Sequence, residues 1–435
     1  MIRRHHALAS LAFALCAAGA PPAACTADAA VPMAHVAWSR NANIYEVNLR
    51  QFSKEGTIKA FATQLPRLKK MGVDILWLMP IQPIGEKNRK GSLGSYYAVK
   101  DYTAVNPEFG TMDELKALVK QAHGLGMHVI LDWVANHSAW DNRWVSEHND
   151  WYKKNDQGEI FPVTFTEGTE VEYWTDVVAL DYGNKALWQG MSEAMAFWVR
   201  EADVDGFRCD VAGLVPVPFW NHVRAELDKI KPVFMLAEWA EPALHERAFD
   251  MTYGWDLADT MKDVAKGKAD AAALRRSFTQ PAKAFPQHAY RMRFTNNHDF
   301  NSWQGSDTEL WGKSFEAMAA IAATVPGMTM IYNGQESGLD KRLAFFEKDQ
   351  IDWKDYRYAA FYARLLKLKK DNPALWNGQY GGSMDIVDTG NDKVFAYRRV
   401  LGKNVVNVTA NVSDSVQHYR GKALAPWSYQ ITSKK

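Results

Sequence analysis

An α/β fold of repeated strand–helix units, with a small all-β region at its end, is what this 435-residue sequence predicts. Three observations carry that reading. Short apolar runs alternate with segments of helical periodicity from about residue 43 onward. The runs are nearly continuous in apolar residues, as strands buried on both faces must be. After Lys370 the helical periodicity stops and short alternating runs take over.

The first strand begins at Ile44–Val47, and Ile58, Phe61, Leu65 and Leu68 follow at helical spacing until Gly72 stops them. Val73–Met79 reads as the second strand. Thr111-Met112-Asp113-Glu114 forms a capping box, and Leu115, Leu118, Val119 and Ala122 lie on one face of the helix it opens. The third strand is His128–Trp133, after Gly126. Further runs at 206–211, 233–237, 251–255, 290–295 and 328–332 bring the number to eight. Repeated βα units of this kind build either a doubly wound sheet or a closed barrel, and periodicity alone does not choose.

Asp132 and Asp210 are 78 positions apart, whereas a barrel of about 250 residues gives about 31 per unit. About 40 residues are therefore inserted after the third strand. The segments are a leader at 1–30, a first part of the α/β domain at 31–137, an insert at 138–177, a second part at 178–376 and a β domain at 377–435. In the last, Val394–Arg398, Val405–Val408 and Trp427–Ile431 read as antiparallel strands.

Lys and Arg total 51 against 50 Asp and Glu, a net charge of +1, with no long basic run. That excludes the electrostatic footprint of a nucleic-acid binder. Arg3 and Arg4 followed by the apolar stretch Ala7–Ala20 read as an export signal. Ala18-Gly19-Ala20 and Ala27-Asp28-Ala29 both fit a cleavage site. Pro22-Ala23-Ala24-Cys25 loosely resembles a lipobox, which would anchor the chain through Cys25. The expected location is periplasmic or extracellular, with no transmembrane segment. Of Cys16, Cys25 and Cys209, only Cys209 belongs to the folded part, so no disulfide is expected within it.

Four carboxylates stand at strand ends: Asp132 on the third, Asp210 on the fourth, Glu238 on the fifth and Asp299 on the seventh. In a barrel these ends form one mouth. A single Asp at a strand end is more often a cap than a catalyst; the ordered set is what points to chemistry. Crowded carboxylates have pKa values pushed apart and can supply an acid and a nucleophile, the pair a retaining glycosidase requires. Arg208, two residues before Asp210, shares its strand face and would favour its ionised form.

These motifs resemble the α-amylase family, glycoside hydrolase family 13. Asp132-Trp133-Val134-Ala135-Asn136-His137 is similar to its first region, Gly206-Phe207-Arg208-Cys209-Asp210 to its second, and Asn297-His298-Asp299 to the region of its third carboxylate. Val178–Asn184 resembles the end of its inserted domain B, and Tyr332-Asn333-Gly334-Gln335-Glu336 the stretch after strand eight. The resemblance runs from about 40 to 370. It implies a (β/α)₈ TIM barrel with domain B after strand three and a C-terminal antiparallel β domain. It implies a retaining hydrolase of α-1,4-glucosidic bonds, acting as a monomer on an α-glucan or maltooligosaccharide. A transglycosylase of the same family, or a catalytically inactive glycan-binding homologue, would share most of these motifs.

The resemblance also implies roles: Asp210 as nucleophile, Glu238 as acid/base, and Asp299 as the carboxylate that binds sugar hydroxyls and distorts the ring. Arg208, His137 and His298 would hold the nucleophile and the sugar, Tyr97 would stack on the ring, and Trp239 would border the leaving group. Two departures stand out. The Lys-His pair that many members carry after the nucleophile is replaced by Val211-Ala212-Gly213-Leu214, and Ser95-Tyr96 stand where many members have a His before the stacking tyrosine. The family's calcium-binding Asn is matched by Asn136, with Asp141 and Asp176 as further candidate ligands. Without the His of that pair, the expectation is no tightly held calcium.

Overall fold

The computed structural model describes residues 34–167 and 169–435; the leader, with Cys16 and Cys25, lies outside them. Eight parallel strands close into a barrel: β1 (Ile44–Val47), β2 (Ile75–Leu78), β3 (His128–Trp133), β4 (Gly206–Cys209), β5 (Phe234–Ala237), β6 (Met251–Tyr253), β7 (Tyr290–Arg293) and β8 (Met328–Tyr332). Each pairs with its neighbour in chain order, and β1 closes the ring on β8 with Ile44 opposite Met330. All eight runs expected from the sequence are barrel strands, and closure decides between the two architectures that periodicity left open. Every residue of β2, β4 and β5 is buried, which is why these strands read as unbroken apolar runs.

The helices follow local rules. Met112–Gly124 starts at the expected capping box: Thr111 Oγ1 accepts from Glu114 N–H at 3.2 Å and the Glu114 carboxylate accepts from Thr111 N–H at 3.0 Å. Such a cap contributes about 1 kcal/mol. The helix expected from Ile58 onward is two, Ile58–Ala62 and Leu65–Met71, because Pro66 opens a new first turn. Gly72, at φ 103°, ends the second in the left-handed region.

After β3 the insert forms a three-stranded antiparallel sheet, with Glu170–Ala179 between His137–Ala139 and Pro162–Glu167. Its small core joins Val163, Val177 and Ala179 to Ile84 and Ala98 of the loop after β2. Leu180 N–H donates to Asn136 O at 3.1 Å, and Tyr182 Oη to Ala135 O at 2.8 Å, so the insert returns to the end of β3. The C-terminal sheet has four antiparallel strands in the order Ser383–Val387, Val394–Leu401, Asn404–Asn411 and Tyr429–Lys434, with a separate hairpin at 417–424. It docks on the barrel helix Phe315–Thr324 through Tyr397 and Arg399, which contact Thr324 at 2.5 and 3.0 Å. Among the described residues no helix is long and apolar enough to cross a membrane.

Candidate active site

The C-terminal ends of the strands carry a buried charge network centred on Arg208. Its place on β4 aims a fully buried guanidinium across the barrel axis. Nη1 donates to Asp132 Oδ1 at 2.8 Å and to Asp210 Oδ1 at 3.0 Å, Nη2 is 3.1 Å from Glu238 Oε1, and Nε donates to Tyr253 Oη at 3.3 Å. One arginine thus serves three carboxylates. Asp210 and Glu238 follow the last residues of β4 and β5 directly. Asp299 lies six residues beyond β7, not at its end as the sequence pattern suggests, and it precedes a π-helical turn, Phe300–Gln304. Such turns recur at functional sites because they re-aim the chain.

Burial, then the charge of Glu238, pushes the Asp210 carboxyl well above its ordinary range, and Arg208 opposes them. Arg208 acts in the expected direction, toward the ionised form, but its charge is divided among three acids, so burial and Glu238 prevail. Burial likewise raises Asp132, which accepts from Arg208, from Trp77 Nε1 at 3.1 Å and from Tyr97 Oη at 3.1 Å.

A second cation completes the network. His298 Nδ1 contacts Glu46 Oε1 at 2.5 Å, and its Nε2 is 2.8 Å from Tyr97 Oη and 3.5 Å from Asp299 Oδ2. Burial alone would lower its pKa, but the charges of Asp299 and Glu46 outweigh burial and hold it at about 9. Tyr97 stacks on this imidazole with centroids 5.5 Å apart and extends toward Phe345, 6.2 Å away at 14°. His137 is the opposite case. Burial pushes it down to about 4, so it is neutral at pH 7. Asn136 Nδ2 donates to its Nδ1 at 3.2 Å, which leaves the proton on Nε2, 4.0 Å from Asp210 Oδ2.

Backbone geometry positions Glu238. Val211 adopts φ 36° and ψ 45°, a left-handed conformation that a β-branched residue enters only under strain. Its N–H donates to Glu238 Oε2 at 2.8 Å. Half-buried Trp239 lies against the next turn so closely that a Cβ on Gly213 would sit 2.1 Å from its Cε2. Glycine at 213 is a steric requirement of that indole.

The structure therefore brings Asp210, Glu238, Arg208, His137, His298 and Tyr97 around one mouth, with Asp299 contacting His298 and Trp239 flanking Glu238. Glu46, Trp77 and Tyr253 belong to the same network and escaped the sequence reading. The available signal was an acid at the centre of the four-residue buried strand Ile44–Val47.

A match to the family described as "Alpha amylase, catalytic domain" spans residues 37–382. The chain belongs to the α-amylase family. It is 27% identical over 400 residues to the α-amylase MalA of Haloarcula japonica, covering 86% of this chain and 56% of that one. It is 29% identical over 409 residues to an α-1,4-glucan:maltose-1-phosphate maltosyltransferase of Rhodospirillum rubrum, covering 85% and 56%. The chain thus spans little more than half the length of these curated relatives. Among solved structures it resembles an α-amylase from Lactobacillus plantarum, at 28% identity and a TM-score of 0.81 over 91% of this chain and 99% of that one. It also resembles the maltogenic α-amylase AmyB from Thermotoga neapolitana, at 28% identity and a TM-score of 0.78 over 90% and 98%.

In this α-amylase family chain the candidate ligands for the family's calcium are Asn136, Asp141 and Asp176. A calcium ion needs about six to eight oxygens. Asp176, in the insert, already holds Lys90 Nζ at 2.9 Å from its Oδ1. Asp141 Oδ2 lies 3.5 Å from Lys100 Nζ and accepts from Glu86 N–H at 3.0 Å. Two lysines from the loop after β2 thus pair with these carboxylates, while Asp141 Oδ1 is buried without a hydrogen-bond partner and Asn136 meets His137 through Nδ2.

Proposed function

We propose that the protein hydrolyses α-1,4-glucosidic bonds of starch or maltodextrins with retention of configuration, without tightly held calcium. The observation that carries this reading is the Arg208 guanidinium spanning Asp210 and Glu238 at the barrel mouth. The guanidinium sets two carboxylates side by side, and acid-assisted attack needs one protonated and one ionised group. In the attacking state Asp210 is the ionised partner and attacks the anomeric carbon while Glu238, as the acid, protonates the leaving glycosidic oxygen. Glu238, now ionised, then takes a proton from water, which attacks the glycosyl–Asp210 ester and releases the sugar. Arg208 stabilises Asp210 as leaving carboxylate. Asp299 and protonated His298 hold ring hydroxyls, neutral His137 donates from Nε2, Tyr97 provides an apolar face for the sugar, and Trp239 borders the departing chain.

Transfer to a sugar instead of water is the second reading. The similarity to maltosyltransferases favours it, because both reactions share every step up to the covalent intermediate. Chromatography of maltoheptaose digests over time separates the readings. Shorter products alone support hydrolysis, longer ones transfer, and no products would leave only glycan binding. Proton NMR in the first minutes should show new reducing ends as α-anomers; an initial β-signal would refute the double displacement.

Export belongs to the same proposal, supported by Arg3, Arg4 and the apolar stretch after them. So does action as a monomer. Mass spectrometry of the mature N-terminus tests processing and any lipid on Cys25, and sedimentation tests the monomer.

A further inference from the structure

At the barrel's opposite end, His123, His128 and Asp205 converge from three elements. His123 lies in the last turn of helix Met112–Gly124, His128 opens β3, and Asp205 immediately precedes β4. Their ligand-capable atoms all lie within 4.8 Å of one another, the only such group among the described residues. His123 Nε2 is 2.7 Å from Asp205 Oδ2, and His128 Nδ1 is 3.6 Å from the same oxygen. The His128 Nδ1 is buried without a hydrogen-bond partner, and its ring is held flat against Trp38, centroids 3.8 Å apart at 12°. His123 Nδ1 faces Asp203 Oδ2 at 3.4 Å, so a second carboxylate turns the ring to present Nε2 inward. Outer carboxylates play that part for metal-bound imidazoles.

We propose that this cluster binds a divalent first-row transition cation, Zn²⁺ foremost, through His123 Nε2, His128 Nδ1 and Asp205 Oδ2, with water completing the shell. Metal–ligand bonds of about 2.0–2.2 Å place tetrahedral ligand atoms about 3–4 Å apart. The 3.6 Å separation already meets this, and the 2.7 Å hydrogen bond lengthens when the cation replaces its proton. Two imidazoles and a carboxylate select zinc-like ions over calcium or magnesium. Lys231 holds the other oxygen, Asp205 Oδ1, at 3.1 Å and Asp203 Oδ1 at 2.6 Å, while Val129 N–H reaches Oδ2 at 2.8 Å. Asp203 and Asp205 together carry two negative charges against one lysine, which leaves charge for a dication to balance. Bound there, the ion would tie helix 112–124 to β3 and β4 at the end of the barrel remote from Asp210.

The test is calorimetric titration of the untagged, EDTA-stripped full chain with ZnCl₂ alone. One saturable equivalent is expected, with a melting temperature raised by Zn²⁺ and unchanged kcat. His123→Gln and His128→Gln should each weaken binding at least tenfold. Absence of saturable binding, or binding untouched by both substitutions, overturns the proposal. Should the variants fail to fold, the visible spectrum of Co²⁺ on the parent decides. An intense tetrahedral nitrogen-ligated band supports the site, and a weak octahedral spectrum overturns it.

Discussion

Asp210 and Asp250 are both buried aspartates beside an arginine, one at each end of the barrel, and they behave in opposite ways. Asp250, immediately before β6, accepts from Arg224 Nη1 at 2.9 Å, His35 Nδ1 at 2.7 Å and Met235 N–H at 2.8 Å. Burial would raise its carboxyl, but Arg224 and His35 outweigh burial and hold it below the usual range. Asp210 accepts from an arginine that must also serve Asp132 and Glu238, and its carboxyl is pushed well up. Arg224 is shared as well, with half-exposed Asp228 at 2.8 Å. The difference lies in the further donors His35 and Met235 N–H on Asp250, against the neighbouring acids Glu238 and Asp132 around Asp210. A buried acid ringed by several donors is a strut with a fixed charge; one ringed by other acids is poised to exchange a proton.

The largest effects should fall at the crowded end, on rate. Asp210→Asn and Glu238→Gln should each lower kcat on starch about a thousandfold or more. Melting temperatures should stay level or rise, because each substitution thins a crowd of buried acids around one guanidinium. Retention of more than about a tenth of kcat by either variant would remove that carboxylate from the mechanism. At the other end the balance inverts. Asp250→Asn breaks a buried pair and should cost about 3–5 kcal/mol in denaturant unfolding, with kcat per folded molecule close to the parent's. If Asp250→Asn slowed catalysis without loss of stability, the division between the two ends would fail.

The strut end and the reactive end were unequally legible in the sequence. The eight strands could be read because burial on both faces leaves nothing but apolar residues, and the ordered acids at their C-terminal ends stood out against that background. Glu46 did not, since one acid in a buried strand says nothing until His298, 252 positions away, is placed against it. Tyr253 and Trp77 looked like core aromatics, and their polar tips gain meaning only beside Arg208 and Asp132. The insert's sheet left no period-two signal because residues 170–175 are exposed or only half-buried on both faces. The edge strand Ser383–Val387 is half-exposed along its length for the same reason.

A medium effect should appear in the pH profile. His298, normally near 6.5, is held at about 9, so the native state binds its proton more tightly than the unfolded chain does. That contribution is fully present below about pH 6.5 and is lost as pH rises through about 9. Activity should therefore show an alkaline limb near 9 in kcat/KM. Glu46→Gln keeps a hydrogen-bond acceptor but removes one of the two carboxylates that raise His298. The limb should move down by about one unit or more. A limb that stays in place in Glu46→Gln would mean that some other group titrates there.

The smallest effect concerns the lysines that clasp the insert. A family calcium ion would join insert and barrel through the same carboxylates, so calcium and lysine are competing solutions to one electrostatic problem. Lys90 is 37% exposed at its side chain while Asp176 is 7%, which places the pair at the edge of the solvent. Solvent screening limits its value, and Lys90→Met should cost about 1 kcal/mol or less. The sharper measurement is thermal unfolding of the parent in excess EDTA and in excess calcium. A ligand bound only by the native state at 100 times its Kd adds about 2.7 kcal/mol. For about 400 ordered residues that corresponds to roughly 3 °C. With an ammonium already on Asp176, the two melting temperatures should agree to well within that interval, and activity should survive EDTA. A calcium-dependent rise of that size, with activity lost in EDTA, would show that the lysines yield to the ion. In that case the insert is held by a metal, and the clasp by Lys90 and Lys100 is only its metal-free state.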